Sequence, residues 1–551
     1  MNAREAKYKL DVARTLLGTG MVQPVRPDKA LRSLVALHRW GPTPAAAYTG
    51  AAIREAGRPA IVDDRGTLTF GEVHRRTNAL ARALADAGVR EGDGVAIMCR
   101  NHRGFIDATV ACSKLGANAL YLNTAFAGPQ IADVVAREDP VALIYDGDFA
   151  ELVQDAGAGR TRFIAWSEPG ARPAEPLLDD LIAGARDSEL HAPEQTGRVV
   201  ILTSGTTGQP KGASRAQPET LEPAAALFSK IPLKARETTM IAAPMFHSWG
   251  FAHFTLGLPL ASTLVLRRKF DPEETLRAVS QQRASALALV PVMLQRILDL
   301  GERTIARYDT RCLKVIALSG SSLPGELATR AMDVFGDVLY NLYGSTEVAW
   351  ATIATPQDLR AAPGTAGRPP LGTVVKLLDA HGREAKPGES GRIFVANEMV
   401  FEGYTDGGGK EIIEGLMSTG DVGRFDEAGR LFVEGRDDEM IVSGGENVFP
   451  REVEDLLSDH AGIREAAVVG VPDEEFGQRL KAFVVPQDQE LSEQAVKDYV
   501  KANLARYKVP REVVFLQQLP RNATGKVLKR ELSSADRAAV GSSVDSEKEA
   551  S

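Results

Sequence analysis

Val199-Val200-Ile201-Leu202-Thr203-Ser204-Gly205-Thr206-Thr207-Gly208-Gln209-Pro210-Lys211-Gly212 is an apolar, β-branched run that breaks into a polar, glycine-rich tail. The run predicts a buried strand that delivers a loop to a surface. In such a loop glycines let successive backbone N–H groups converge on an anion, hydroxyls add donors, and Lys211 brings a full charge. The stretch therefore reads as a phosphate cradle, the alternative being an ordinary Gly/Thr turn with a solvated lysine. It is not a Walker A loop, because Lys211 follows Pro210 where that motif has glycine, and Gly212 stands where it has Ser or Thr. The P-loop NTPases drop out.

Outward from this stretch, strands and helices alternate. Upstream, Thr69 with Glu72 forms a capping-box pattern for a helix carrying Val73, Leu80 and Leu84 on one face, with Gly88 placed to end it. Strands are expected at Val95–Cys99, Ala119–Leu122 and Val141–Tyr145, separated by helices near Phe105–Leu115 and Gln130–Arg137. Strands apolar on both faces argue for a mainly parallel sheet covered by helices, with ligands beyond the strand C-termini. A second block of alternation runs from Thr239 to Tyr343. It contains Ala243-Pro244-Met245-Phe246-His247-Ser248-Trp249-Gly250-Phe251 and two strand ends, Ser319-Gly320-Ser321-Ser322 and Asn341-Leu342-Tyr343-Gly344-Ser345-Thr346-Glu347. Beyond residue 360 short strands and Gly/Asp turns predict a small β-rich subdomain.

Taken together and in this order, TSGTTGQPKG, NLYGSTE, Ser418-Thr419-Gly420-Asp421, Glu434-Gly435-Arg436 and Pro520-Arg521-Asn522-Ala523-Thr524-Gly525-Lys526 resemble the motifs of the adenylate-forming enzymes, which include acyl- and aryl-CoA synthetases. The resemblance spans about residues 50 to 530. It implies an ATP site made by Thr203, Ser204, Gly205, Thr206, Thr207, Gly208 and Lys211, by Gly320, Ser321 and Ser322, and by Asn341 to Thr346. Ser-Gly-Ser-Ser at 319–322 departs from the family's usual Gly-Gly-Ala-Pro. Tyr343 would stack on adenine, Thr346 reach the α-phosphate, and Glu347 with Thr206 hold Mg²⁺. Asp421 would accept from the ribose hydroxyls, as suits a carboxylate facing a vicinal diol, and Arg436 would also meet the ribose. Lys526 would be the catalytic lysine. His247, which the resemblance makes a catalytic candidate, would line the acyl pocket with Trp249 and Phe251. Gly444, Gly445 and Glu446 would line the CoA tunnel, and Asp438 would be the hinge of a mobile C-terminal domain.

The expected architecture is α/β. A large N-terminal domain of βαβ subdomains (1–437, the β-rich part from about 360) precedes an α+β domain (438–532) and a disordered tail (533–551). The implied activity is ATP-dependent acyl-CoA synthesis from a carboxylic acid, with CoA as co-substrate. The aromatics at 246–251 and the absence of charge there favour a medium- or long-chain fatty acid, with an aryl acid as the alternative. An acyl-AMP ligase that loads a carrier protein and a nucleotide-binding regulator without turnover are further alternatives.

Composition is consistent with this. A net charge of −8 leaves no global basic field to gather nucleic acid. Three cysteines, Cys99, Cys112 and Cys312, fit a reducing, cytoplasmic setting, and the scattered histidines suggest no structural metal site. No run reaches the roughly 18 apolar residues of a membrane span. Residues 1–40 carry eight Lys/Arg against three Asp/Glu, and the apolar-periodic piece Leu31–Leu37 suits either peripheral membrane contact or a helix docked on the body.

Overall fold

The computed structural model describes residues 3–532 except 172, 205–209, 216–217, 219, 380, 406, 444–445, 474–476, 488–490 and 523–524. Two mainly parallel sheets make the body of the large domain. In the first, Val199–Ser204, Asn118–Tyr121, Gly94–Met98, Ala142–Asp146 and Thr161–Trp166 are neighbours in that order and run parallel. In the second, Leu339–Tyr343, Val315–Leu318, Ala286–Leu289, Thr238–Ile241, Thr263–Leu266 and Pro59–Asp63 are likewise parallel, with antiparallel edge strands at Thr352–Ala354 and Gly66–Thr69. The helices Phe70–Asp86, Arg103–Leu115 and Ser248–Leu260 share one core with both sheets, Phe105, Ile106 and Phe254 packing with Ile97, Tyr121, Ile61 and Leu264. Both sheet faces are buried, which is why their strands read as unbroken apolar runs. The capping box is present, Thr69 Oγ1 accepting from Glu72 N at 3.3 Å and the Glu72 carboxylate from Thr69 N at 2.7 Å.

The opening stretch behaves differently from a strand that simply ends in a loop. Val199–Ser204 turns back into Pro210–Arg215, pairing antiparallel with Thr203 opposite Lys211, and Gly403–Tyr404 adds a further antiparallel strand with Tyr404 opposite Ala213. Lys211 therefore sits on a return strand fixed from both sides.

The expected β-rich subdomain is a five-stranded antiparallel sheet of Val374–Leu378, Gly391–Ala396, Leu416–Phe425, Ile412–Ile413 and Leu431–Arg436. The chain leaves it through a 3₁₀ turn, Asp437–Glu439, and enters the last sheet at Ile441–Ser443. That sheet is built around Ile463–Asp473 and Gly477–Pro486 and is covered by the helices Pro450–Ser458 and Glu493–Asn503. The tail expected at 533–551 lies outside the described residues.

At the N-terminus, the helix Pro27–Trp40 docks on the helix Pro44–Glu55 through Ala36 and Trp40. It nevertheless leaves Leu31 and Leu34 each 64% exposed. Among the described residues no helix is long and apolar enough to cross a membrane.

Candidate active site

One cavity of about 2180 Å³ opens where the strand ends of the second sheet, the antiparallel sheet and the C-terminal domain meet. Gly320, Ser321, Ser322, Asn341 to Glu347, Asp421, Arg436, Asp438 and Lys526 all line it. Residues far apart in the chain, singled out from separate motifs, are thus brought to a single space.

Its nucleotide-like end is polar and charged. The Tyr343 hydroxyl donates to Asp421 Oδ2 at 2.6 Å, and Arg436 Nη1 lies 3.3 Å from Asp421 Oδ1. Burial pushes the Asp421 carboxyl up, and Arg436, Tyr343 and Lys526 pull against that rise. Lys526 is therefore close enough to act electrostatically on Asp421. Each Asp421 oxygen keeps acceptor capacity beyond its one partner, as a diol needs. Asn341 presents a buried Oδ1 with no hydrogen-bond partner among the described residues. Buried acceptors are normally satisfied, so this one fits an amine donor carried by a ligand. Gly344 is required by packing, since a Cβ there would collide with the carbonyl oxygen of Ala349.

Glu347 is held by a residue that the motifs do not contain. The Tyr404 hydroxyl donates to its Oε1 at 2.6 Å, and Lys211 Nζ lies 5.2 Å from the centre of the Tyr404 ring. Burial opposes the charge on Glu347, yet the Tyr404 and Ser345 hydroxyls, a backbone N–H and Lys410 outweigh it and hold the carboxyl below its ordinary range. A carboxylate kept ionised in a cavity is a fitting ligand for a hard divalent cation. Thr346 Oγ1 lies 3.4 Å from Ser248 Oγ at the start of the helix Ser248–Leu260.

That helix lines another end of the cavity, the one expected to be the acyl pocket. His247 precedes it, and its Nε2 lies 3.5 Å from Asn123 Nδ2, a second contact that no motif signals. Burial drives the His247 ring down to about 4, so it is neutral near pH 7 and serves as a shape-giving wall rather than as a charge. Phe251 packs on Tyr121 with ring centres 5.1 Å apart and lines the cavity. Trp249 also borders the cavity, but its indole N–H donates to the main-chain oxygens of Leu289, at 3.0 Å, and Ala317, at 3.3 Å. Its polar edge belongs to the core.

The loop carrying Lys526 is seated on the large domain. Gly525 is buried with φ +79°, and a Cβ there would fall 2.5 Å from Val292 Cγ1. Asn522 ties the loop together, its Oδ1 accepting from Lys526 N at 2.9 Å. Gly205, Thr206, Thr207, Gly208, Gly444 and Gly445 lie outside the described residues, as do the side chains of Thr203, Ser204 and Glu446. The strands Ile441–Ser443 and Glu446–Val448, which flank the two glycines, pair antiparallel.

The histidines are not all scattered away from possible metal-ligating partners. Cys99 and His102, three residues apart, meet Asp146 with ligand atoms within 4.8 Å of one another, all buried. Hydrogen bonds already engage both ring nitrogens, since Gly104 N–H donates to Nδ1 at 3.0 Å and Nε2 lies 2.7 Å from Asp146 Oδ1. Burial also pushes the Cys99 thiol far up. The cluster braces the start of the helix Arg103–Leu115.

Comparison with known proteins gives a concordant picture. Residues 49–405 match the family model of AMP-binding enzymes, and 452–526 match that of the AMP-binding enzyme C-terminal domain. The chain is 34% identical over 471 residues to a feruloyl-CoA synthase of an Amycolatopsis species, covering 84% of this chain and 93% of that one. It is 34% identical over 487 residues to the indoleacetate–CoA ligase of Aromatoleum aromaticum, covering 86% and 94%. The structure of o-succinylbenzoate CoA synthetase from Bacillus subtilis, in complex with the acyl-adenylate intermediate OSB-AMP, is similar with a TM-score of 0.78 at 26% identity, covering 88% and 97%.

Proposed function

We propose, from the premise that this chain belongs to the AMP-binding enzyme family and is an AMP-forming acid–CoA ligase, that its acid is aromatic or arylalkanoic. Relatives named for feruloyl, indoleacetate and 2-succinylbenzoate support this over the medium- or long-chain fatty acid suggested by Phe246–Phe251, although a fatty acid–carrier-protein ligase is also similar at 29% identity. The observation that carries the reading is the joining of Lys526, Asp421, Thr346 and Glu347 to an arm lined by His247 and Phe251 in one cavity.

In the first step a carboxylate oxygen forms a bond to the α-phosphorus of ATP, and the bond to pyrophosphate breaks. Two anions must approach, so preorganised positive charge is the main requirement. Lys526 supplies it at the α-phosphate end. Lys211, fixed between two strands and beside Tyr404, supplies it toward the departing pyrophosphate. Asn341 accepts from the adenine amine, Tyr343 gives the ring a flat surface, and Asp421 with Arg436 holds the ribose. Glu347, kept ionised by Tyr404, would hold Mg²⁺ with Thr206. When bound, that ion neutralises phosphate charge.

In the second step the CoA sulfur bonds to the acyl carbon, the acyl–phosphate bond breaks and AMP leaves with the electron pair, while the thiol proton passes to solvent. Lys526 has no charge to neutralise here. We therefore assign Asp438, in the 3₁₀ turn between the last two sheets, as the hinge about which the C-terminal domain withdraws Lys526 and brings Gly444-Gly445-Glu446 to the site.

AMP release with ATP, CoA and a panel of acids tests the assignment. Benzoate, cinnamate, ferulate and indoleacetate should exceed acetate and palmitate by about tenfold or more in kcat/KM, the scale of a few well-packed apolar contacts. A preference for palmitate over every aromatic acid would restore the fatty-acid reading. Adenylation without CoA use would point to a carrier protein as the thiol donor.

A further inference from the structure

The acid arm of the cavity continues well past the reacting end. It follows the helix Ser248–Leu260 by way of Phe251, Ala252, Thr255 and Pro259, and from His247 to Pro259 a helix rises about 18 Å. Opposite, the helix Pro44–Glu55 contributes Ala46, Ala47, Gly50 and Arg54. Spacings of three and four put these on one face. All but the last are small, which leaves room for a narrow ligand.

The far ends of the two helices are tied together. Arg236 N donates to Leu260 O at 2.8 Å, and Arg236 Nε pairs with Glu55 at 2.6 Å. Arg54, next to Glu55, therefore lies at the end of the arm opposite His247. Glu55 is the nearby carboxylate, and it already has two cations, Arg236 and Arg58, the latter at 2.7 Å. The Arg54 guanidinium has no hydrogen bond or ion pair among the described residues. It folds back over Gly50, where a Cβ would lie 3.2 Å from its Nη1, and so along the cavity wall. On the N-terminal helix Pro27–Trp40, Ser33 also lines the cavity, with its Oγ buried and without a partner among the described residues.

Three arginines thus surround one carboxylate, and two of them, Arg54 and Arg236, line the cavity, Arg54 being the one whose side chain has no hydrogen bond or ion pair among the described residues. A partly buried cation is costly to leave uncompensated, and arginine is the side chain best shaped for a carboxylate because two of its N–H groups match the two oxygens. Desolvation by burial lowers the proton affinity of Arg54, Glu55 offsets this, and Arg236 adds to it. That balance is expected of a site short of negative charge.

We propose that Arg54, assisted by Ser33, binds a second carboxylate at the far end of the acid, so that the aromatic or arylalkanoic substrate is an elongated diacid activated at one end and recognised at the other, the aliphatic diacids serving only as probes of the distal group. The assignment rests on the reading of the cavity as an acid-activating site. Arg54 acts here in binding and specificity, at a distance from the reacting atoms.

The test compares matched acids that differ only in the distal group: dodecanedioate with dodecanoate, and para-carboxyphenyl-terminated with phenyl-terminated octanoate. Full-length protein should favour the diacid of each pair by about 10²-fold in kcat/KM, mainly through KM, because a site built to hydrogen-bond a group rejects its absence strongly. Arg54→Met should collapse that ratio to near one, and Arg54→Lys should keep part of it. Equal use of diacid and monoacid by the parent, or a ratio unchanged in Arg54→Met, overturns the role of Arg54 while leaving the enzyme assignment intact. If no acid of any kind supports pyrophosphate exchange, the reading of the site fails first and the diacid falls with it.

Discussion

Tyr404 reaches Glu347 only because Gly403–Tyr404 pairs with the strand that carries Lys211. Its hydroxyl stabilises the charged carboxylate, so Tyr404→Phe should raise the Glu347 pKa and move the acid limb of the pyrophosphate-exchange profile to higher pH. The rate near neutral pH should fall about tenfold, the scale of one hydrogen bond to a charged group. An unmoved acid limb would separate Tyr404 from the ion site. Neither Tyr404 nor Asn123 was legible in the sequence, since each acts through a tertiary pairing between segments that carry no shared motif. Lys526, Glu347 and Asp421 were legible for the opposite reason. Each stands in a motif that the family resemblance covers, with a glycine close by in the chain, Gly525, Gly344 and Gly420. The Cys99–His102 pair was present in the sequence, but its meaning as a brace required Asp146 from another strand.

Among elements, the Lys526 loop is where packing bears most directly on the proposed chemistry. Gly525 meets both a left-handed backbone and a contact with Val292, so Gly525→Ala should disfavour the docked loop by about 1–2 kcal/mol from conformation alone, with steric overlap added. Acyl-AMP formation should drop tenfold or more while thioester formation from supplied acyl-AMP changes little. Adding Val292→Ala should recover the steric part, and measurement of both half-reactions in the double variant checks this. No recovery would mean that the loop does not dock on Val292 when it acts. The parallel strands and their covering helices were readable from the sequence, because strands buried on both faces are apolar throughout. The hairpin formed by Val199–Ser204 and Pro210–Arg215 was less so. Its second strand contains proline, lysine and glycine and lacks any alternating pattern, so only its partner strands reveal it.

For the molecule as a whole, three histidines set a pH limit. Burial lowers His74 to about 3 and both His247 and His253 to about 4. Unfolded, each titrates near 6.5, so between about pH 4 and 6.5 the unfolded chain binds more protons and stability rises with pH. This stabilisation is complete above about pH 6.5 and is lost on acidification, so Tm should fall from pH 7 to 5, and His253→Gln should flatten the slope. A Tm constant over that range would contradict the burial of these rings. The two-domain arrangement leads to a separate expectation. Proline fixes φ near −65°, so Asp438→Pro should hold one domain orientation and uncouple the half-reactions, with one near parental rate and the other reduced about 10²-fold. The central claim is that one lysine serves the first chemical step and is withdrawn for the second, and separate assays of the two half-reactions in Lys526→Ala test it most directly. Acyl-AMP formation, followed by pyrophosphate exchange, should fall by about 10²- to 10³-fold, the scale for losing one preorganised electrostatic contact. Conversion of supplied acyl-AMP to acyl-CoA should stay within a few-fold of the parent, and equal losses in the two half-reactions would contradict the account.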